Sequence, residues 1–327
     1  MTLRMTYVVL LLTAWLLPVS TSWAQVATSC ELSGPEPALA FGTINTNPTP
    51  QQDTATNVTV SCRAFFAGGT VKACLKLSNG SPDTSLLPQR RMANGAARLG
   101  FQMHRDTART QVWGDATTAA AREVQVVMQN VGFLTYAGST TVPMYGRVAG
   151  GQTGLPSGTY QSDMALTLTG TFDLTANCNS VNTPLQSLSV PARATIARSC
   201  SVAANDLSFG SHSQLAAAVT ASTSLGVTCT VGTPYTVRMD GGTTANNVAD
   251  RRMGLNGTGP AAQGVAYQLR HTSPNGPLWG DGTSGTSTLA GTGTGGSQTL
   301  RVYGRVLPQA VPLPGQYEDT VTVTVQY

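Results

Sequence analysis

The chain has little charge, few aromatics and almost no histidine. Charged residues make up 10% of its 327 positions, aromatics 6%, and there are 3 histidines. Net charge is +4, and basic residues adjoin only as the pairs Arg90-Arg91 and Arg251-Arg252. A nucleic-acid partner is therefore excluded, because its electrostatic footprint is missing. The catalytic inventory is equally thin. His104, His212 and His271 occupy unrelated positions in the two halves, and neither G-x-S-x-G nor H-E-x-x-H occurs. Glu31, Glu36, Glu123 and Glu318 are scattered, so no carboxylate pair suggests a glycosidase. "GTGTGG" at 291–296 precedes the strand-like "SQTLRVYG", where a phosphate-binding loop needs a helix. No catalytic residue, metal ligand or cofactor is expected. No cysteine pair has the close spacing of a zinc site.

Long apolar runs are missing too, apart from "YVVLLLTAWLL", Tyr7 to Leu17. That run is shorter than the about 20 residues a membrane span needs. It follows Arg4 and precedes Pro18, and Ser22 and Ala24 fit a peptidase site. The reading is a secretory signal at 1–24, cleaved before Gln25. The remaining roughly 300 residues leave room for two domains of ordinary size.

Thr, Ser, Gly and Val fill that space, and the chain repeats itself in order. Cys30 matches Cys200, "LAFG" matches "LSFG", and "VTVSC" matches "GVTC". "RRMANG" then matches "RRMGLNG", "VWGD" matches "LWGD", "MYGRV" matches "VYGRV", and "PSGTYQSDMALTL" matches "LPGQYEDTVTVTV". Ordered matches of this kind mark an internal duplication. Val321, Val323, Val325 and Tyr327 alternate with polar neighbours, while Met164, Ala165, Leu166 and Leu168 keep a looser pattern. Short strands with Gly, Asn and Pro punctuation predict an all-β chain of two tandem sandwiches.

The even cysteine count in an exported chain favours disulfides. Symmetry pairs Cys30–Cys62 and Cys200–Cys229 as bridges between each copy's first two strands. Cys74 and Cys178 lack counterparts, which leaves Cys74–Cys178, one assignment among the several that six cysteines allow. Trp113 and Trp279 read as buried anchors, with Asp115 and Asp281 holding turn N–H groups. Arg147 and Arg305 are expected to pair with carboxylates on neighbouring strands.

In combination, "LSFG", "VTC", "RRM", "LWGD", "VYGRV" and "LPGQYEDTVTVTVQY" resemble the spore coat protein U domain family. The resemblance covers copy two from Cys200 to Tyr327 and, more weakly, copy one from Cys30 to about Gly170. Characterised members of that family are secreted pilus subunits and adhesins of archaic chaperone–usher systems. The resemblance implies immunoglobulin-like sandwiches completed by donor strands: a periplasmic chaperone fills a groove, and an adjacent pilin subunit replaces it at the outer-membrane usher. The divisions expected are 25–186 for an adhesin domain, 187–199 for a linker or cis donor strand, and 200–327 for a pilin domain.

Only "QVATS" precedes Cys30, too short for a donor arm, so the chain is expected to accept a strand and sit at a pilus tip. Val321, Val323, Val325 and Tyr327 form the expected acceptor edge. Within 187–196, Leu188, Val190, Ala192, Ala194 and Ile196 alternate with polar residues and Pro191, either as a donor completing copy one or as copy two's first strand. Copy one carries "RAFFAGG" after Cys62 and a longer stretch between Trp113 and Tyr145. Phe65, Phe66, Phe133, Leu134 and Tyr136 are therefore candidate adhesive loop residues for a host or abiotic surface. The expected role is surface attachment and biofilm formation outside the cell; the alternative is a secreted coat or matrix protein without a pilus.

Overall fold

The computed structural model describes residues 28–45, 49–66, 68–82, 89–117, 119–171, 174–310 and 313–327. The expected signal segment and residues 25–27 lie outside them. Valine, threonine and aromatics at alternating positions favour extended backbone, and the regular structure among the described residues is all strand apart from one short 3-10 turn at Ala261–Gln263.

The first unit holds β1 (Thr28–Ser33), β2 (Leu39–Ile44), β3 (Gln52–Phe65), β4 (Gly69–Leu77) and β5 (Arg90–Asn94). It continues with β6 (Ala97–His104), β7 (Arg122–Gly132), β8 (Thr135–Val148), β9 (Gly158–Thr171) and β10 (Pro184–Ile196). These make one sheet system ordered β1-β3-β8-β6-β5-β9-β10-β2. β4 joins β7 to β9, and β7 joins β4 to β8, folding the sheet over its own core. That core includes Leu39, Phe41, Val60, Leu75, Phe101, Trp113, Leu166 and Val190.

The second unit repeats the pattern with β11 (Cys200–Ala204), β12 (Val219–Cys229), β13 (Pro234–Met239), β14 (Arg251–Leu255) and β15 (Val265–Arg270). It ends with β16 (Leu289–Thr292), β17 (Ser297–Val306), β18 (Tyr317–Glu318) and β19 (Val323–Gln326). One sheet runs β11-β12-β17-β15-β14-β18, the other β16-β13-β19. A separate core gathers Leu225, Val227, Val237, Leu269, Trp279 and Val302.

Three disulfides staple the units: Cys30–Cys62, Cys74–Cys178 and Cys200–Cys229. Cys30–Cys62 joins β1 to β3 rather than the first two strands, because β2 runs at the far edge beside β10. The short connection 197–199 is held to each unit in turn: Ala197 N–H donates to Ile44 O of the first, and Thr230 N–H of the second donates to Ser199 O, both at 2.9 Å. Pro156 also bridges to Val231, so the Gly158 end of the first unit meets the second.

Candidate strand-acceptor groove and apolar tip

The strand β10 places the first candidate site. It pairs antiparallel with β9 over its whole length and parallel with β2. Successive side chains on a strand point to opposite faces, so Val190, Ala192, Ala194 and Ile196 enter the core and are buried. Leu188 packs on its border. Pro191 has no N–H to give and sits opposite Asp163 on the outward-facing phase. Residues 184–196 therefore belong to the first unit's sheet, and the second unit's first strand is β11.

The second unit has the same path without an occupant among the described residues. Leu39 and Phe41 on β2 are 1% and 2% exposed. Their counterparts Leu207 and Phe209 are only half-buried and lie outside any strand. Met164, Leu166 and Leu168 on β9 are sealed, whereas Val321, Val323 and Val325 are half-exposed. β19 pairs with β13 on one side, as β9 pairs with β4, and its other edge has no partner strand among the described residues. The strand at the expected acceptor edge is shorter than the sequence pattern suggested: Val321 precedes β19, and Tyr327 lies beyond it, exposed. There Asp240 N–H still donates to Thr322 O at 3.1 Å, but Thr322 N–H donates to the Asp240 side-chain Oδ1 at 2.9 Å in place of the backbone carbonyl. Completing the burial of five such side chains contributes on the order of 1 kcal/mol each.

The repeated "YGRV" explains how each unit seats this edge. A side chain on Gly146 would strike Phe41 and Leu39, and one on Gly304 would strike Leu207 and Phe209. The glycine is the gap into which the Leu-x-Phe segment fits. The arginine beside it differs between copies. Arg147 holds Asp53 through two bonds of 2.7 and 2.9 Å across β8 and β3. This pairing lowers the Asp53 pKa, with the hydrogen bond outweighing desolvation. Arg305 faces Thr220 instead and reaches Asn275 Oδ1 at 3.4 Å, so the expected carboxylate partner is not found among the described residues.

The apolar tip lies at the opposite end of the first unit. Phe65 ends β3 opposite Thr135, and Phe66 N–H donates to Leu134 O at 2.8 Å. That bond sets the 65–66 turn against the β7–β8 hairpin. Phe133 is 92% exposed and Phe66 71%; Phe65 and Leu134 are also exposed. Phe66 and Leu134 have φ of +70° and +52°, a strained region for such residues that is commoner at functional sites. Tyr136 differs: it is half-buried against the core, with Gly68 lying over its ring. In the first unit, sequence reasoning missed four further exposed apolar residues among the described ones, Val127, Val131, Leu174 and Leu185. Leu185 starts β10 beside Gly170, so its end of the sheet is the same one. Fourteen-residue strands separate this end from Gln52 and Val148 by about 45 Å.

The tryptophans act alike in both copies. Trp113 Nε1 donates to Leu75 O at 2.9 Å and Trp279 Nε1 to Val237 O at 3.1 Å, and both rings are fully buried. Asp115 Oδ1 accepts the N–H and hydroxyl of Thr117, and Asp281 Oδ1 those of Thr283, at 2.9 and 2.7 Å in each case. These carboxylates are occupied with turns, and the Thr283 bonds hold the Asp281 pKa low.

The Spore Coat Protein U domain model matches residues 15–167 and again 186–324. The chain belongs to that family. Its two Spore Coat Protein U segments share a feature that the sequence motif "RRM" hides: the first arginine is buried. Arg90 donates to Leu77 O, Ser78 O and Trp113 O, and Arg251 to Met239 O and Asp240 O. Burial lowers the Arg90 pKa to about 10. Charge at that position is invisible as core in any hydropathy pattern.

The curated proteins contain no sequence match. Among solved structures, the Spore Coat U chain is similar to one from the Acinetobacter baumannii CsuC–CsuE chaperone–tip adhesion subunit pre-assembly complex of archaic Csu pili. The TM-score is 0.53 at 17% identity, over 92% of this chain and 100% of that one. The CupB6 tip adhesin of Pseudomonas aeruginosa matches over 92% and 95% of the two chains, with TM-score 0.44 and 13% identity. CfaE, the adhesive subunit of the CFA/I fimbria of enterotoxigenic Escherichia coli, matches over 89% and 93%, with TM-score 0.34 and 9% identity.

Proposed function

We propose that the protein is the tip adhesin of an archaic chaperone–usher pilus. The second unit receives a strand, from a periplasmic chaperone and then from the adjacent subunit at the outer-membrane usher. The first unit presents its apolar end to a host or abiotic surface, the contact from which biofilm formation starts. The carrying observation is the contrast between the units. β10 lies between β9 and β2 in the first, while Leu207, Phe209, Val321, Val323 and Val325 remain half-exposed along the same path in the second. An unpaired edge beside exposed core is an association site by its physics: main-chain hydrogen bonds supply affinity and alternate side chains fill pockets. Family membership and the fold shared with the CsuE complex support the same reading. So does the tip, whose exposed Phe65, Phe66, Phe133 and Leu134 lie at the end away from the second unit. Three disulfides suit a chain exported to an oxidising compartment.

The test is a full chain carrying a copy of residues 184–196 fused after Tyr327 through a flexible linker. Thermal unfolding is compared with the unfused chain, both made in an oxidising compartment. The fused strand is expected to raise the unfolding temperature of the second unit. An unchanged transition means that the edge takes no strand, and the pilus-subunit reading falls.

A further inference from the structure

The floor of the groove carries one charge, and this bears on which strand it accepts. In the first unit, β10 sets Leu188 opposite Leu166, Val190 opposite Met164, Ala192 opposite Ser162 and Ala194 opposite Tyr160. In the repeat, "TYQSDMALTL" aligns with "QYEDTVTVTV", so Leu166 corresponds to Val323, Met164 to Val321, Ser162 to Asp319 and Tyr160 to Tyr317. Packing supports the same alignment. A Cβ on Gly80 would collide with Ser162 Oγ, and one on Gly242 with the Asp319 carboxylate.

Asp319 is half-buried where Ser162 is sealed. Its Oδ2 accepts the Tyr267 hydroxyl at 2.6 Å; its Oδ1 accepts Thr243 Oγ1 at 3.1 Å and Thr244 N–H at 3.0 Å. Tyr267 is a core residue packed edge-on against Phe209, so the carboxylate is tied to the groove wall. An ionised carboxylate offers about four acceptor sites. Among the described residues three are taken, and the one left is on Oδ2. A strand following β10's path would cover Asp319 and remove the water from that last site. A buried acceptor without a partner bears its full desolvation cost. In an antiparallel pair the facing residue has its Cβ about 5 Å away, close enough for a short side-chain hydroxyl to donate.

We propose that Asp319 is a specificity-determining residue of the groove and that the strand accepted there places Ser or Thr opposite it. This rests on the strand-acceptor reading above. The partner segment is an extended strand whose inward positions read large apolar, large apolar, hydroxyl, small, large apolar, in the order of Leu188, Val190, Ala192, Ala194 and Ile196. In the first unit the same position is neutral: Ser162 faces the methyl of Ala192, and its sealed hydroxyl is left without a hydrogen-bond partner among the described residues, a smaller cost than an uncompensated carboxylate would bear.

The experiment uses the full chain with the fused copy of 184–196, the copy carrying either Ala192→Thr or Ala192→Val. These differ by a hydroxyl in place of a methyl. Each is made with Asp319 intact and with Asp319→Ser, and thermal unfolding of the second unit is read against the unfused chain. With Asp319 intact, the Thr copy is expected to unfold ~3–5 °C above the Val copy. With Asp319→Ser that gap should close or reverse, which is the signature of direct coupling. An equal gap in both backgrounds, or Val matching Thr beside Asp319, overturns the proposal. Failure of either copy to stabilise the unit would instead overturn the acceptor reading, and the proposal with it. If Asp319→Ser does not fold, Asp319→Asn removes the charge at nearly the same size, and the gap is expected to shrink there as well.

Discussion

Ala192 on β10 lies directly opposite Ser162 on β9, and both side chains are sealed from solvent. The first unit thus holds within its own chain the strand that the second unit lacks among the described residues. Two valines should feel the difference. Val190→Ala empties a fully buried site and is expected to cost about 2 kcal/mol. Val323→Ala removes methyls that are already half in water and should cost less than about 1 kcal/mol. Fusing a strand after Tyr327 should bring the second cost up towards the first. Denaturant unfolding of both variants, with and without the fusion, measures this. Equal costs in the unfused chain would mean that the second unit is as complete as the first.

The Cys74–Cys178 disulfide belongs to the same device. It closes a separation of 104 residues and ties the β9–β10 connection to β4. Lys72 Nζ adds a bond to Ala176 O at 2.8 Å, and Lys76 Nζ one to Asn182 Oδ1 at 2.7 Å. The double substitution Cys74→Ala with Cys178→Ala is expected to lower first-unit stability by about 3–5 kcal/mol. The second unit's transition should not move. Calorimetry resolving two transitions tests this; an equal loss in both would show that the bridge has no local role.

Much of this architecture was legible in residues alone, because duplication writes each constraint twice. The tryptophans, their partner aspartates and the matched cysteines stood out for that reason. What stayed hidden depends on register and depth. "RRM" shows two arginines, but only the fold sends Arg90 and Arg251 inward to strand-end carbonyls. "YGRV" suggests equal arginines, yet strand pairing sets Asp53 opposite Arg147 and Thr220 opposite Arg305. Tyr136 looked like its loop neighbours until Gly68 gave its ring a seat. Leu174 and Leu185 are close in sequence to the linker, and only the return of β10 brings Leu185 to the tip end. The alternation in 187–196 fitted two roles equally, since a strand's pattern does not name the sheet it joins.

The unequal arginines carry a pH prediction. Hydrogen bonding from Arg147 is the largest influence on Asp53 and holds its folded pKa below the ordinary value, desolvation acting the other way. A depressed folded pKa adds stability that is complete above the unfolded value, about 4. That stability disappears as pH falls through the lower folded value. First-unit stability should therefore decline from about pH 4 downward, and Asp53→Asn should flatten that part of the profile. The second unit, with Thr220 in the same place, should show no matching change with Thr220→Ala. An Asp53→Asn profile as steep as wild type below about pH 4 would assign the acid loss to other carboxylates.

The tip allows function to be separated from folding, because its strain and its exposure coincide. Phe66 and Leu134 hold positive φ, which asparagine adopts far more readily than either. Phe66→Asn and Leu134→Asn should leave the unfolding temperature unchanged or slightly raised, since they relieve backbone strain and remove only exposed apolar surface. Phe133→Ser, at 92% exposure, should be equally silent for stability. The triple variant is nonetheless expected to lose most of its attachment to an apolar surface, because the exposed rings are what that end offers for burial. Adsorption to polystyrene, read beside thermal unfolding of the same samples, separates the two effects. A triple variant that attaches as well as wild type would move the adhesive contact away from these loops, and Val127, Val131, Leu174 and Leu185 would be the next residues to replace.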